Sequence, residues 1–124
     1  KSFQLAWTPL IERGTKVVAV RDVPLMSGAL ECLQRNLKNA GYCAMPANKD
    51  VLGNDSLFNA GKQTPGVHVI DLTPTICPDN VCQIALNGYT VMRDHGHLTA
   101  SFAKSLAPII ENELEAQNAL AKKG

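Results

Sequence analysis

The densest grouping of chemistry-bearing side chains in this 124-residue chain is Asp94-His95-Gly96-His97, just ahead of a stretch whose apolar spacing predicts the last helix. An Asp-x-x-His spacing lets one loop carry an imidazole and the carboxylate that orients it. The carboxylate fixes the ring tautomer and stabilises the imidazolium that forms when the ring takes a proton from a hydroxyl nucleophile. The same spacing also suits a solvated helix-entry loop in which Asp94 is a local cap. His95 and His97 with Asp94 raise a third reading, a zinc site, which needs a third or fourth ligand. The nearest other candidate, His68, falls in a predicted buried strand, where it reads as a packed or hydrogen-bonded residue. Arg93 reads as a solvated arginine, with pairing to a carboxylate or to an acyl or sugar oxygen as the alternative.

The four cysteines form two local pairs, Cys32 with Cys43 and Cys77 with Cys82. Their spacings match neither a CxxC redox site nor paired zinc knuckles. Pro78, Asp79 and Asn80 favour a turn that brings Cys77 and Cys82 within bonding reach. We read two loop-closing disulfides, 32 to 43 and 77 to 82, each contributing on the order of 2 to 3 kcal/mol. Disulfides persist in oxidising compartments, so the expected location is extracytoplasmic. Four buried thiols in a cytosolic protein are the alternative.

The elements that position these residues follow from periodicity and turn chemistry. Apolar spacing over Phe3–Glu12 predicts a helix, with Gly14 as its C-cap. Lys16–Arg21 is a continuous β-branched run, the pattern of a strand covered on both faces, and Asp22-Val23-Pro24 ends it. Ser27 is placed to N-cap a helix over Ala29–Lys38, closed near Gly41. Residues 44–47 read as loop, and 48–60 as a weaker helix interrupted by Gly53. Gly66–Asp71 is a second buried strand. Extended pieces over Val81–Leu86 and Tyr89–Met92, joined by Asn87-Gly88, predict a hairpin. The final helix starts near Thr99, with Leu98, Phe102, Leu106, Ile109 and Ile110 as its inner face and a kink at Pro108. This order is α/β, and the right-handed crossover rule makes the two apolar strands parallel neighbours.

Twelve Lys and Arg against eleven Asp and Glu give a net charge of +1, and the longest basic run is Lys122-Lys123. A nucleic-acid partner normally announces itself by clustered basic residues, so none is expected. No apolar run approaches the ~18 to 20 residues of a membrane span, and no signal peptide is seen, so the segment reads as soluble. No repeat, low-complexity segment or interdomain linker interrupts it. A chain beginning at Lys1 already in a helical pattern, with two strands of a parallel sheet, is expected to be the later part of something longer.

Pro74-Thr75-Ile76-Cys77, Val81-Cys82 and the run Gly88-Tyr89-Thr90-Val91-Met92-Arg93-Asp94-His95-Gly96-His97-Leu98-Thr99 carry a resemblance. Their order resembles the C-terminal end of an SGNH-hydrolase domain, in the version appended to bacterial membrane acyltransferase-3 proteins that O-acylate surface polysaccharides. Lys16–Pro24 with Cys32-Leu33 beyond it is similar to the segment after that family's third block, so the resemblance spans nearly the whole chain. It implies a three-layer α/β/α, flavodoxin-like sandwich, of which residues 1–124 form the C-terminal part. It implies Asp94 and His97 as orienter and general base of a Ser-His-Asp triad, with no cofactor and no resident metal. The implied partners are a carbohydrate or glycolipid acceptor, the upstream half of the domain or a second chain, and a membrane acyltransferase domain in the same protein. The implied location is the periplasm or cell envelope, tethered to the membrane.

The sequence departs from the family where the nucleophile should be. The family's serine stands in a Gly-Asp-Ser block at the start of its domain, and Ser2, Ser27, Ser56, Ser101 and Ser105 all lack that context. Gly53-Asn54-Asp55 mimics an oxyanion-hole block in composition but lies in a helical stretch. Two functions stay open: part of a serine esterase or O-acyltransferase moving an acyl group, acetyl as first choice, to or from a cell-surface sugar, or a non-catalytic SGNH-like module that holds a polymer. The chain alone is expected to be inactive.

Overall fold

The protein is described by a computed structural model covering residues 2–119. In chain order its elements are α1 (Ser2–Glu12), β1 (Val17–Val20), α2 (Ala29–Arg35), a 3-10 turn over Ala40–Cys43, β2 (Met45–Pro46), α3 (Lys49–Leu52), α4 (Ser56–Gln63), β3 (Val67–Ile70), α5 (Thr73–Ile76), a 3-10 turn over Pro78–Asn80, β4 (Val81–Cys82), β5 (Ala85–Leu86), β6 (Tyr89–Thr90), α6 (Ala100–Ser105) and α7 (Ala107–Ala116). The chain is α/β. The described residues divide into two compact units, one built of residues 2–22, 55–71 and 107–119, the other of 23–54 and 72–106.

In the first unit, β1 and β3 pair in parallel with Val17 opposite Val67 and Val20 opposite Ile70, as the two β-branched runs predict. The Arg21 amide prolongs the ladder by donating to the Ile70 carbonyl at 2.8 Å. Helix α4 lies so close to the pair that a Cβ on Gly61 would meet the Ala19 Cβ at 2.8 Å and a Val69 methyl at 3.0 Å. Only a residue without a side chain fits that approach. Asp55 starts α4 with a side-chain cap to the Phe58 amide at 2.9 Å and also accepts the Asp22 amide at 2.7 Å. Gln117 reaches from beyond α7 to donate to the Val69 carbonyl at 3.0 Å. Burial on both strand faces, expected from the apolar runs, is not reached: Ala19 and Ile70 are the buried strand residues and Val20 is 42% exposed. Among the described residues each of these strands has a single neighbour, so the side chains along its open edge keep contact with water.

The second unit is made of short pieces. β5 and β6 form the predicted hairpin, turned by Asn87 and Gly88 at φ 53° and 83°. Two consecutive positive φ values define the tight turn whose twist matches the strands, and Asn-Gly adopts them at least cost. The expected bonds Cys32–Cys43 and Cys77–Cys82 are both present. Asp79 and Asn80 turn the second of these loops in left-handed backbone, which Asp and Asn tolerate. Residues 44–47 are not loop throughout, because Met45–Pro46 pairs antiparallel with Val81–Cys82. The pairing joins the two disulfide loops, which local propensity does not reveal.

Helix limits differ from expectation for local reasons. Ser27 is not the cap of α2; Gly28 holds that position at φ 80°. The helix stops at Arg35 rather than Lys38, where the Asn36 side chain folds back to donate to the Cys32 carbonyl at 2.8 Å and offers the backbone a competing partner. The 48–60 stretch is two helices: Asn48 caps α3, Gly53 leaves helical geometry at φ 67°, and Asp55 caps a fresh start. The final helix is likewise two. Pro108 has no N–H to give the Lys104 carbonyl, and α6 ends at Ser105 before α7 begins at Ala107.

Candidate active site

The Asp94-to-His97 loop belongs to the second unit and is anchored from both sides. Before it, Val91 and Met92 are fully buried, and the Val91 amide donates to the Ile84 carbonyl at 2.7 Å. After it, Leu98 bridges back to Met92 and the Thr99 amide donates to the Val91 carbonyl at 2.9 Å. The loop is closed at its neck by the Arg93 amide donating to the His97 carbonyl at 2.9 Å. Thr99 then caps α6, its hydroxyl accepting from the Phe102 amide and donating to the Thr90 carbonyl. The predicted helix start is therefore also the loop's second anchor.

Inside this frame Asp94 accepts four contacts from its own loop. Its Oδ1 takes the amides of Gly96 and His97 at 2.9 and 2.8 Å, and the His97 Nδ1 lies 3.0 Å from Oδ1 and 2.9 Å from Oδ2. The Gly96 amide is the main cause that holds the Asp94 carboxyl below the ordinary aspartate value. Partial withdrawal from water works against it, and the ring contact, charge and amide of His97 add to the lowering. An ionised carboxylate can only accept, so the proton between the two groups belongs to His97 Nδ1. That leaves Nε2 as the ring's free lone pair. The His97 side chain is 68% exposed, so a hydroxyl can reach it. The arrangement can take a proton from a hydroxyl and hold the imidazolium produced.

The other sequence candidates fall into place around it. Asp94 does not cap the helix, a place taken by Thr99; its carboxylate accepts the Gly96 and His97 amides and lies against His97 Nδ1. Arg93 is largely exposed, with its Nε 3.9 Å from Asp94 Oδ2, a surface pair of small energetic weight. His95 holds the loop by its backbone, its carbonyl accepting the Met26 amide at 2.8 Å. His68 stands in β3 opposite Val18, half-buried, in the other unit. Among the described residues no three His, Cys, Asp or Glu side chains gather as a metal site. Gly53-Asn54-Asp55 ends one helix and caps the next. Ser105 donates to the Phe102 carbonyl.

Beside the loop is a cavity of about 270 Å³, walled by Leu30, Glu31 and Gln34 of α2 and by Arg93, Asp94 and His95. Neither Glu31 nor Gln34 stands out in the sequence. Their only signal is an i, i+3 spacing on a predicted helix, which places both on one face but does not say what that face meets.

No helix among the described residues is long and apolar enough to cross a membrane. The two disulfides suit an oxidising compartment. The family model of the SGNH domain fused to AT3 domains matches residues 8–112. No curated protein and no solved structure matches the chain.

Proposed function

From the premise that this chain belongs to the family of SGNH domains fused to AT3 domains, we propose that it carries the base and orienter of a serine-dependent acyl-transfer site. The observation that carries this reading is the Asp94 carboxylate gripping His97 Nδ1 with both oxygens while Nε2 is left free. His97 Nε2 takes the proton of a serine hydroxyl as its oxygen attacks the acyl carbonyl carbon. The ester bond of the donor then breaks, and His97 returns the proton to the departing oxygen. An acceptor hydroxyl repeats the sequence in reverse, with His97 taking its proton and the serine leaving. Asp94 stays ionised throughout and holds the ring.

The nucleophile in this reading is a serine in a Gly-Asp-Ser block outside these 124 residues, since none of the five serines here stands in that context. Residues 1–124 are then the C-terminal part of one three-layer α/β/α domain. The acyl group, acetyl as first choice, moves to or from a cell-surface carbohydrate on the extracytoplasmic side, and the AT3 domain of the same protein supplies the membrane tether.

The test is His97→Ala in the full gene product, assayed for p-nitrophenyl acetate hydrolysis and for glycan acylation. Loss of the general base should lower both by about 10²- to 10⁴-fold. Unchanged rates would falsify the assignment. A second reading, a non-catalytic SGNH-like module that positions a polymer, is favoured by the absence of a nucleophile block in this stretch. Sugar binding that persists in a full gene product with no esterase activity would select it.

A further inference from the structure

Leu25 is an exposed side chain between two buried ones, Pro24 and Met26. Its backbone is pinned on both sides. The Leu25 amide donates to the Val51 carbonyl at 2.7 Å, and the Met26 amide donates to the His95 carbonyl at 2.8 Å. Residues 25 and 26 therefore lie beside the Asp94-to-His97 loop, within the second unit. The side chain follows the backbone, since Leu25 Cδ1 stands 3.5 Å from where a β-carbon on Gly96 would be. Single leucines at a surface are ordinary. Leu25 differs in keeping 46% of its surface open to water while its backbone is fixed against the loop that carries His97.

Gly96 supplies the second observation. Its φ is not positive, and a β-carbon there would meet Leu25 Cδ1 in ordinary contact and, its chain neighbours aside, no other described atom within 4 Å. Neither the backbone nor the packing of the loop requires a glycine at this position. The amide that Gly96 donates to Asp94 Oδ1 would come from any residue but proline. What glycine alone adds is open space over the Leu25 methyls, one residue from His97. Leu25 and Gly96 are not among the walls of the polar cleft between α2 and the loop.

We infer that Leu25, with the space kept open by Gly96, is the specificity-determining contact for the alkyl part of the acyl group. The inference rests on the acyl-transfer reading above. In that reading the acyl carbon bonds to a serine oxygen whose proton passes to His97 Nε2, so the alkyl chain on that carbon is held close to the loop. Alkyl surface laid on the Leu25 methyls leaves water, and the gain grows with the area covered. Because Leu25 is half-exposed on a pinned backbone, it is a wall for the chain to lie along rather than a pocket that closes around it. Longer acyl chains touch more of it.

The full gene product is assayed with p-nitrophenyl acetate and p-nitrophenyl butyrate, with kcat and KM read separately. Leu25→Ala should lower kcat/KM about threefold for the acetate and about tenfold for the butyrate, the weight of roughly one and two methylene contacts. The loss should fall in KM with kcat unchanged, because the alkyl contact is the same in the bound ester and in the transition state. Leu25→Met, which keeps the apolar volume, should restore both values. Gly96→Ala, which puts a methyl into the open space, should lower the butyrate value more than the acetate value. Equal loss for the two esters, a loss in kcat alone, or no change in Leu25→Ala overturns the inference. His97→Ala tells the two failures apart. Hydrolysis that survives it with the Leu25 pattern intact removes the general-base assignment and keeps the acyl contact. Hydrolysis that depends on His97 but not on Leu25 removes the acyl contact alone.

Discussion

In residues 23–54 and 72–106, the side chains of Met26, Ile76, Ile84, Val91, Met92 and Phe102 are all 2% exposed or less, whereas α1 and α7 in the other unit contain no buried residue. The better-buried region is the one with the shorter elements. Its strands are two residues long, and its two disulfides close over short sequence distances, 11 and 5 residues, beside the longer-range β2–β4 pairing. The sheet unit has the longer helices and a parallel pair whose partners lie 50 residues apart, yet much of its apolar surface is half-exposed. The candidate dyad of the proposed function lies in this second unit, in a loop whose own anchors, Arg93 to His97 and Thr99 to Val91, close over a few residues.

If that contrast is right, the largest effect on activity comes from inside the loop. Asp94→Ala should reduce p-nitrophenyl acetate hydrolysis by the full gene product about 10²- to 10⁴-fold, and amide exchange at Gly96 and His97 should accelerate. Asp94→Asn keeps an oxygen for those amides, so it should restore their protection and not the rate. Equal exchange in both variants would mean the loop is held by its neck alone.

The cross-links come next. Replacing both Cys32 and Cys43 by Ser should cost about 3 kcal/mol, and the Cys77/Cys82 double replacement about 2 kcal/mol, because the longer loop regains more chain entropy. Denaturant melts read both values. A mass increase on alkylation only after reduction checks that the bonds form in the native protein.

The sheet unit supplies the control. Gly61→Val puts methyl groups where Ala19 and Val69 already stand and should cost about 1 to 3 kcal/mol in a thermal melt. Hydrolysis measured well below the melting temperature should stay at the wild-type rate. A large loss of activity there would break the division between a scaffold unit and a chemical one. Asp55→Ala, which loses the α4 cap and the acceptor of the Asp22 amide, should cost about 1 to 2 kcal/mol.

The smallest effect is in the titration of Asp94. Its folded-state value lies below the ordinary one, so its contribution to loop stability is present above the ordinary aspartate value and lost as pH falls through the lowered one. Carboxyl carbon-13 shifts should show this directly. His97→Ala should move the titration only part of the way back, because the Gly96 amide is the leading cause and remains.

Much of the site was legible before any coordinates. Asp94 and His97 three apart, the Asn87-Gly88 turn, both cysteine pairs and the Thr99 helix start are all local, and local spacing decides such features through turn chemistry and hydrogen-bond reach. The family resemblance was readable for the same reason, since its motifs are short runs in fixed order. Helix ends were less so. Whether α2 stops at Arg35 depends on Asn36 finding the Cys32 carbonyl, and whether residues 48–60 are one helix or two depends on the backbone of Gly53.

The amino-acid sequence by itself determined the parallel partnership of the two β-branched runs, the Asn87-Gly88 hairpin and both cross-links. Only the tertiary structure decided that Met45–Pro46 pairs with Val81–Cys82 and that Gly61 lies against Ala19. It alone placed Glu31 and Gln34 across a cavity from Arg93. Each of those facts joins residues far apart in the chain, where no propensity or spacing rule reaches and only packing in three dimensions chooses the neighbour.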